Sequence, residues 1–544
     1  MLSPEYLDNL PDPVVRLFQD VEDDIVRDMA RRIKKMNGLT DTAAYQAWRL
    51  EQTQLIRKEI VTRLSKMSGK MQAEIRKILQ DAGTETLLSD DALYTAAGLS
   101  PGPVNDNPAL LNLLNAGYQQ TAGTFQNITA TTANTTTKQF ENALDHAWLQ
   151  VSSGAFDYQT VLRHTVDALA KEGIKAIVYP SGHSDTLEVA VRRAVLTGVN
   201  QTAAKLQVAR MDEMGWDLVE VTAHAGARPS HALWQGKIYS RSGKSKQYPP
   251  LSVTGYGTGA GLCGWNCRHS FYPYYEGLSR PNYTQEDLER MERREFTYNG
   301  QEMTRYEASQ IQRYLERGIR KWKRVYLAES AAGLDTTKAS TKLAQWRARQ
   351  RDFLDKTGLF EDNIRHRVSG FGRKQAAKAV ATAQKPHSEW LKSIGAEDTS
   401  LKTVAKYYKG KYNNVYEYQL LMGYNRAVKK GDISPLVGMD VYRKTADDIQ
   451  NKIVGIKTAN GVHIQGFSTH FVDRVIGQTG DSHTGLRQGV SVEDALDALV
   501  NPVRISEPRK LADGDIRQTF YGKKAAVAIS IRDKRLIQTN PRGG

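Results

Sequence analysis

The sequence predicts a multidomain protein that is mainly α-helical through its N-terminal and middle regions. A small β-containing Gly/His/Cys module interrupts the helices, and an α+β domain with an antiparallel sheet ends the chain. Three observations predict this. Long stretches repeat apolar residues every three to four positions. The window from Val221 to Tyr274 gathers glycine, histidine, cysteine and aromatic residues between turn signals. The last stretch switches to two-residue alternation. A chain of 544 residues exceeds one hydrophobic core. The composition shifts divide it into 1–220 (helical), 221–280 (the Gly/His/Cys module), 281–385 (basic helical), 386–455 (connector) and 456–544 (α+β).

Taken in order, Val14, Phe18, Val21, Ile25, Met29, Ile33 and Met36 form the stripe of an amphipathic helix. Its basic residues gather in the last turns, where the helix dipole favours cations. A second helix spans about 43–82 through Ile60, Leu64, Met67, Met71, Ile75 and Ile78. Leu99–Pro103 is a break, and another helix starts near Pro108. The Thr-rich tract 121–137 suits a loop or a helix surface packed against partner subunits. Helices over 159–172 and 185–214 lead into the module, where Ile238 and Tyr239 belong to short strands.

Helices resume over 285–294, 305–331, 338–357 and 372–384, and Lys385-Pro386 marks a boundary. The tyrosines at 407, 408, 412, 416 and 418 belong to a Lys-rich connector, as packing residues or as platforms for bases. Val462–Gln465 reads as a strand, Ser468 or Thr469 as an N-cap, and 490–500 as a helix closed by Asn501-Pro502. Strands follow at 516–521, 525–531 and 536–539, the last two joined by a turn at Arg532–Lys534.

Lys and Arg number 75 against 60 Asp and Glu, a net charge of +15. The first 280 residues balance 29 basic against 29 acidic side chains, so the whole surplus lies beyond them. Basic surface placed this way favours a polyanionic partner, most simply nucleic acid. Arg317, Arg320, Lys321, Lys323 and Arg324 would meet phosphate or an acidic neighbour. Two cysteines exclude a disulfide framework and fit a reducing compartment. The acidic, proline-broken start is no signal peptide, and no run of about 18 apolar residues would span a membrane.

Within the module, His224, His231, Cys267 and His269 have the residue types of a tetrahedral zinc site, with Cys263 spare. Alternatively the imidazoles hydrogen-bond backbone and the thiols are small apolar groups. A Cys–His nucleophile lacks an orienting group. Gly259-x-Gly261-x-x-Gly264 is not followed by a helix, as a dinucleotide fingerprint requires. The segments His224–His231, Trp234–Lys237, Gly257–Gly259 and Gly264–His269 resemble the MuF-like phage minor capsid proteins of the minor capsid protein 2 type, and the likeness extends over roughly 1–382. The resemblance implies a structural, non-enzymatic virion protein in the capsid interior near the portal. Its expected partners are portal and major capsid proteins and packaged DNA.

The C-terminal domain carries a different constellation. His470 and Arg474, four apart, share a helix face. Arg517, Thr519 and Tyr521 share one face of a strand, with Lys523, Ser530 and Thr539 nearby in the sheet. An imidazole beside fixed cations and hydroxyls is what metal-free RNA cleavage through the 2′-OH requires. The absence of a carboxylate cluster argues against a two-metal nuclease. Gly466–Arg474, Asn501-Pro502 and Arg517–Gly522 with the final hairpin resemble the phage barnase–EndoU–colicin–RelE-like nucleases, which occur as toxin-like cargo behind such head domains. The resemblance implies His470 as acid/base and Arg474 as a phosphate ligand. Arg517, Tyr521 and Thr539 would line the scissile phosphate. Arg487, Thr519, Lys523 and Ser530 are further candidates for binding RNA, and no cofactor is needed. Such a domain would act in the host cytoplasm after delivery, with an immunity protein as a potential partner. The competing expectation is a basic docking module that holds DNA or portal without turnover.

Overall fold

The computed structural model describes residues 2–39, 41–178, 183–477, 480–481, 485–486 and 488–542. They fall into two compact units, Met1–Ala339 with Gln350–Ala377, and Ser340–Arg349 with Lys378–Gly544.

The first unit begins with α1 (Pro4–Asn9), α2 (Asp12–Lys34), α3 (Thr42–Ala96), α4 (Pro108–Ser152) and α5 (Tyr158–Glu172). A short hairpin, β1 (Lys175–Val178) and β2 (Ser184–Thr186), leads into α6 (Leu187–Met214). The module contributes β3 (Leu218–Val221), α7 (Pro229–Ala232), β4 (Ile238–Ser240) and β5 (Phe271–Pro273). Next come α8 (Gln285–Met291), the hairpin β6 (Phe296–Tyr298) and β7 (Gln301–Met303), α9 (Arg305–Ala332) and the two ends of α10 (Thr337–Thr357), whose middle, Ser340–Arg349, belongs to the second unit.

Helix starts follow their capping chemistry. The Asp41 carboxylate accepts Ala44 N–H at 2.8 Å, Asn107 caps α4 ahead of Pro108, and Thr304 with Glu307 forms the capping box of α9. The α2 stripe is buried from Val14 to Ile33 except at half-buried Val21. α3, α4 and α6 pack side by side, and α2 lies against α3, α6 and α9.

Two expectations are refined here. The Thr-rich tract is no loop: it lies inside α4, with Thr121, Thr132, Thr136 and Thr137 buried and Thr124, Thr131 and Asn134 exposed. Small residues bring α4 and α6 together, since a Cβ at Gly117 would lie 2.3 Å from Thr202 Oγ1 and one at Gly198 2.4 Å from Thr121 Oγ1. The basic run in α9 is split: Arg317 and Lys321 are exposed, whereas Arg320, Lys323 and Arg324 are buried. Arg324 is buried and bonds Glu22 at 2.6 Å and Asp23 at 3.0 Å, Arg320 pairs with Glu188, and Lys323 donates to His366 O at 2.8 Å. Burial in low dielectric makes an internal counter-charge obligatory.

The second unit resumes at Lys378 within α11 (Arg373–Ser393), which continues through Pro386, so no helix end falls at Lys385-Pro386. α12 (Val404–Asn413), α13 (Tyr416–Lys430) and α14 (Met439–Lys452) follow. They are no loose connector: Leu420, Leu421, Tyr424, Tyr442 and Ile449 share one core with Phe471, Phe520, Val527 and Leu536. Tyr407 packs among His387, Trp390, Tyr408 and Tyr418. The chain then forms β8 (Gly466–Phe467), α15 (Thr469–Ile476), β9 (Gly480–Asp481), β10 (Gly485–Leu486) and α16 (Val492–Val500). It ends with β11 (Arg504–Ile505), β12 (Arg509–Lys510), β13 (Ile516–Tyr521), β14 (Ala525–Ser530) and β15 (Arg535–Pro541). The sheet order is β11-β13-β14-β15-β8, with β12 also on β13; all pairs are antiparallel except β15–β8. Thus the protein is mainly helical with a largely antiparallel C-terminal sheet, as the sequence predicts. The Val462–Gln465 strand reduces to a bridge between His463 and Lys457. Among the described residues no helix is long and apolar enough to cross a membrane.

Candidate functional site

In the first unit β3 is the central strand of a three-stranded antiparallel sheet between β4 and β5. Val219, Val221, Trp234, Tyr239, Cys263, Cys267 and Phe271 form one core with Tyr94 of α3 and Met211 of α6. The Asn200 amide of α6 donates to Cys267 O (3.1 Å) and His269 O (3.0 Å), fixing the segment that bears the cysteine and histidine. The glycine-rich loop closes on itself so tightly that a Cβ at Gly261 would lie 2.1 Å from Gly255 O. Its Gly-x-Gly-x-x-Gly run ends in turns, so no phosphate-binding helix follows.

That frame brings His231, Cys267 and His269 together. The two Nδ1 atoms lie 3.4 Å apart, and Cys267 Sγ lies 3.8 Å from His231 Nδ1 and 3.6 Å from His269 Nδ1. All three residues are buried. Each imidazole has its other nitrogen on an acceptor: His231 Nε2 on Ala260 O at 2.9 Å, His269 Nε2 on Gln235 Oε1 at 3.0 Å. Gln235 Oε1 is itself oriented, since it also accepts His224 N–H at 3.0 Å. The group could hold a metal ion, but its membership differs from the set expected from sequence. His224 directs Nδ1 to Ala225 O and stacks on His269, and Cys263 contacts His269 O. Burial pushes the His231 and His269 pKa values down and the Cys267 thiol up; His224 falls to about 4, from burial and then from Arg268.

In the second unit the expected catalytic residues occupy different places. β13 alternates: Gln518 and Phe520 are buried, while Arg517, Thr519 and Tyr521 are half-exposed on the opposite face. Residues directly paired across a ladder share a face. Phe520↔Val527↔Thr539 therefore defines the core face, and Tyr521↔Ala526↔Asn540 the open one. α15 and α16 cover the core face through Phe471, Val472, Ala498 and Leu499. Thr539 is consequently buried on the helix side and bonds Ala526 O at 3.1 Å. Ser530 is also buried, donating to Asp515 at 2.5 Å. Lys523 is exposed, and Arg487 lies outside the described residues.

His470 sits on α15 and faces other helices. It forms a cluster with Asp432, at the end of α13, and Asp473. The pair expected from the four-residue spacing is formed: Arg474 Nε donates to His470 Nε2 at 3.2 Å, occupying the ring's lone pair. Asp473 accepts from Tyr442 at 3.0 Å, and burial raises its pKa to about 7. Burial and then Arg474 lower the His470 pKa. The single groove expected to join His470 to Arg517, Tyr521 and Thr539 is therefore not assembled, because the sheet's two faces separate these residues.

The open face carries its own constellation, only partly foreseen from sequence. The Tyr521 ring has the Arg504 guanidinium 4.6 Å from its centroid and that of Arg542 at 5.4 Å. Arg504 pairs with Tyr521 and Arg509 with Arg517, so both arginines stand on this face. Arg517 is steadied by Asp515, 3.0 Å away. Arg504 and Arg509 were missed because each lies in a two-residue strand with no readable alternation.

No solved structure matches the chain. A structural protein of Lactococcus phage LL-H is 26% identical over 304 residues, covering 52% of this chain and 78% of that relative. A structural protein of Lactococcus phage mv4 is 41% identical over 88 residues, covering 16% of this chain and 62% of that relative. The model of the family "Phage minor capsid protein 2" matches residues 2–355, which takes in the helical body, the Gly/His/Cys module and α9. The chain belongs to the phage minor capsid protein 2 family.

Proposed function

We propose that this minor capsid protein is a structural part of the virion head, inside the capsid near the portal, and that its C-terminal unit binds nucleic acid. The observation that carries the binding role is the open sheet face, where the Arg504 and Arg542 guanidinium groups lie close to the Tyr521 ring with Arg509, Arg517 and Thr519 alongside. An aromatic ring offers a base a stacking surface, and guanidinium groups neutralise phosphates on either side. The helical body, with its internally paired charges, supplies rigid packing against portal and major capsid neighbours.

The test is binding of fluorescent single-stranded RNA and DNA to the full chain over a salt series. Each phosphate neutralised on a single strand contributes about −0.7 to the slope of log K against log salt, so Arg504→Gln and Arg542→Gln should each flatten it by about that amount. Tyr521→Ala should weaken binding by about 1–3 kcal/mol per stacked base. Absence of binding at low salt, or variants indistinguishable from the parent, would overturn the reading.

A second reading is the toxin-type ribonuclease, favoured by the half-exposed His470 paired with Arg474. In it His470 moves the 2′-OH proton, Arg474 steadies phosphate, and an immunity protein restrains the domain in the host cytoplasm. It requires RNA to reach the α13–α15 side of the unit and Arg474 to release the imidazole lone pair. Cleavage products in the same RNA assay, formed in chelator and lost in His470→Ala, would establish it. Intact RNA under conditions where it is bound would exclude it.

A further inference from the structure

We propose that His231 Nδ1, Cys267 Sγ and His269 Nδ1 bind a single zinc-class divalent ion as a three-donor centre of the Gly/His/Cys module. The geometry argues first. Zinc–nitrogen bonds of about 2.0–2.1 Å and zinc–sulfur bonds of about 2.3 Å give tetrahedral edges of about 3.3–3.4 Å between nitrogens and 3.5–3.6 Å between nitrogen and sulfur. The observed separations are 3.4 Å for the nitrogens and 3.6 and 3.8 Å for the mixed edges. A hydrogen bond from the single Cys267 S–H accounts for one mixed edge, whereas a bound ion accounts for all three together.

The hydrogen bonds argue second and independently. Ala260 O and Gln235 Oε1 are acceptors, so the Nε2 atoms of His231 and His269 are the protonated ones in the neutral rings. The Gln235 amide cannot be flipped without losing its bond from His224 N–H. Both Nδ1 atoms then present lone pairs to each other across 3.4 Å, in a buried site beside a sulfur that accepts His269 N–H at 3.4 Å. The single Cys267 S–H can satisfy only one of these two lone pairs, whereas a cation among the three atoms satisfies both. Carbonyl acceptors on the outer nitrogens are also the usual outer shell of a metal-binding histidine. Binding would release the Cys267 thiol proton, so burial that disfavours a bare thiolate is offset by the ion.

The donor set is specific. His224 and Cys263, the nearest residues of ligand type, are not part of the cluster, and their contacts go to Ala225 O and His269 O. Three protein donors leave the fourth corner to a water or an incoming group, unlike a closed four-cysteine structural centre.

The experiment uses the purified full chain, stripped by chelator and titrated with Zn2+ and, as a spectroscopic probe, Co2+. The expected result is one equivalent per chain, tetrahedral cobalt bands and one thiolate-to-cobalt charge-transfer band. Cys267→Ala should abolish that band, and Gln235→Leu should weaken zinc binding about 10–100-fold, the usual cost of losing an outer-shell partner. His224→Ala and Cys263→Ala should keep both stoichiometry and band. Uptake well below one equivalent by the unmutated chain would overturn the proposal without reference to any variant's folding. So would X-ray absorption showing no sulfur neighbour, or loss of the band in Cys263→Ala with retention in Cys267→Ala.

Discussion

Arg324→Met is the sharpest test of what holds the first unit together. The guanidinium on α9 reaches two carboxylates on α2, Glu22 Oε2 at 2.6 Å and Asp23 Oδ1 at 3.0 Å, and all three side chains are buried. The same acids brace other segments: Glu22 accepts Ile174 N–H at 3.1 Å, and Asp23 accepts Ser369 N–H at 2.6 Å. Removing the cation leaves two buried acids without compensation, which costs about 3–5 kcal/mol. The readout is urea unfolding of the full chain by circular dichroism at pH 7, following the transition that Arg324→Met moves. Adding Glu22→Gln and Asp23→Asn should recover most of the loss, because the neutral amides still offer acceptors to Ile174 and Ser369. The pH dependence has a definite sign. Burial first, against the pull of Arg324, raises the Asp23 pKa from 3.8 to about 6. Between those values the folded state holds a proton that the unfolded state has released, so stability falls as pH rises through that window, by about 3 kcal/mol. Asp23→Asn should flatten that slope. A loss below about 1 kcal/mol for Arg324→Met, the scale of an exposed pair, or a triple variant no better than the single one, would refute the reasoning.

Two further predictions concern the candidate sites. Gly261→Ala places a methyl 2.1 Å from the backbone oxygen of Gly255, which cannot swing aside. Thermal unfolding of the full chain should register a loss of at least about 1–3 kcal/mol, and zinc uptake should fall with it. Tyr442→Phe removes the hydroxyl that donates to buried Asp473, at a cost of about 1–3 kcal/mol. Because burial already raises Asp473 to about 7, the penalty in urea unfolding should be larger at pH 8, where the carboxylate is charged, than at pH 6. Equal penalties at the two pH values would mean that the hydroxyl acts only by packing.

Much of the helical body is legible because apolar spacing and burial coincide: every α2 stripe residue from Val14 to Ile33 except Val21 is fully buried. The signal weakens where polar residues take interior positions. α3 continues past residue 82 to Ala96 through buried Thr86, Leu87, Asp90 and Tyr94, and an aspartate on the inner face interrupts the pattern. Gln207 of α6, 2.8 Å from Asp90, supplies the compensation, and no local sequence signal shows it. Arg320 and Arg324 of α9 misled for the same reason: composition marks them as surface, whereas their carboxylate partners come from distant segments. The His231, Cys267 and His269 cluster was half legible. Ligand types were visible, but which imidazoles converge depends on α7 and on the loop crossing at Gly261.

The C-terminal sheet shows how one residue can reverse a functional reading. Alternation from Arg517 correctly puts Thr519 and Tyr521 on the same face, because β13 is regular against β14 from Arg517↔Ser530 to Tyr521↔Ala526. Applied to β15, the same rule puts Leu536 inward, Ile537 outward, Gln538 inward and Thr539 outward, toward Arg517 and Tyr521. The ladder instead pairs Ile529 with Leu536 and Ala528 with Gln538, so Ile537 is an extra residue and the register shifts there. A bulge of one residue inverts every later side chain in the strand. Gln538 and Asn540 turn to the open face, and Thr539 joins Val527 and Phe520 in the core. The open face therefore keeps its arginines and its tyrosine but loses the hydroxyl expected beside the scissile phosphate. It also lacks His470, which the edge strand β8 delivers to the helical side. Among the described residues of that face, what remains is the Tyr521 ring with Arg504, Arg509, Arg517 and Arg542, the groups on which the proposed nucleic-acid binding rests.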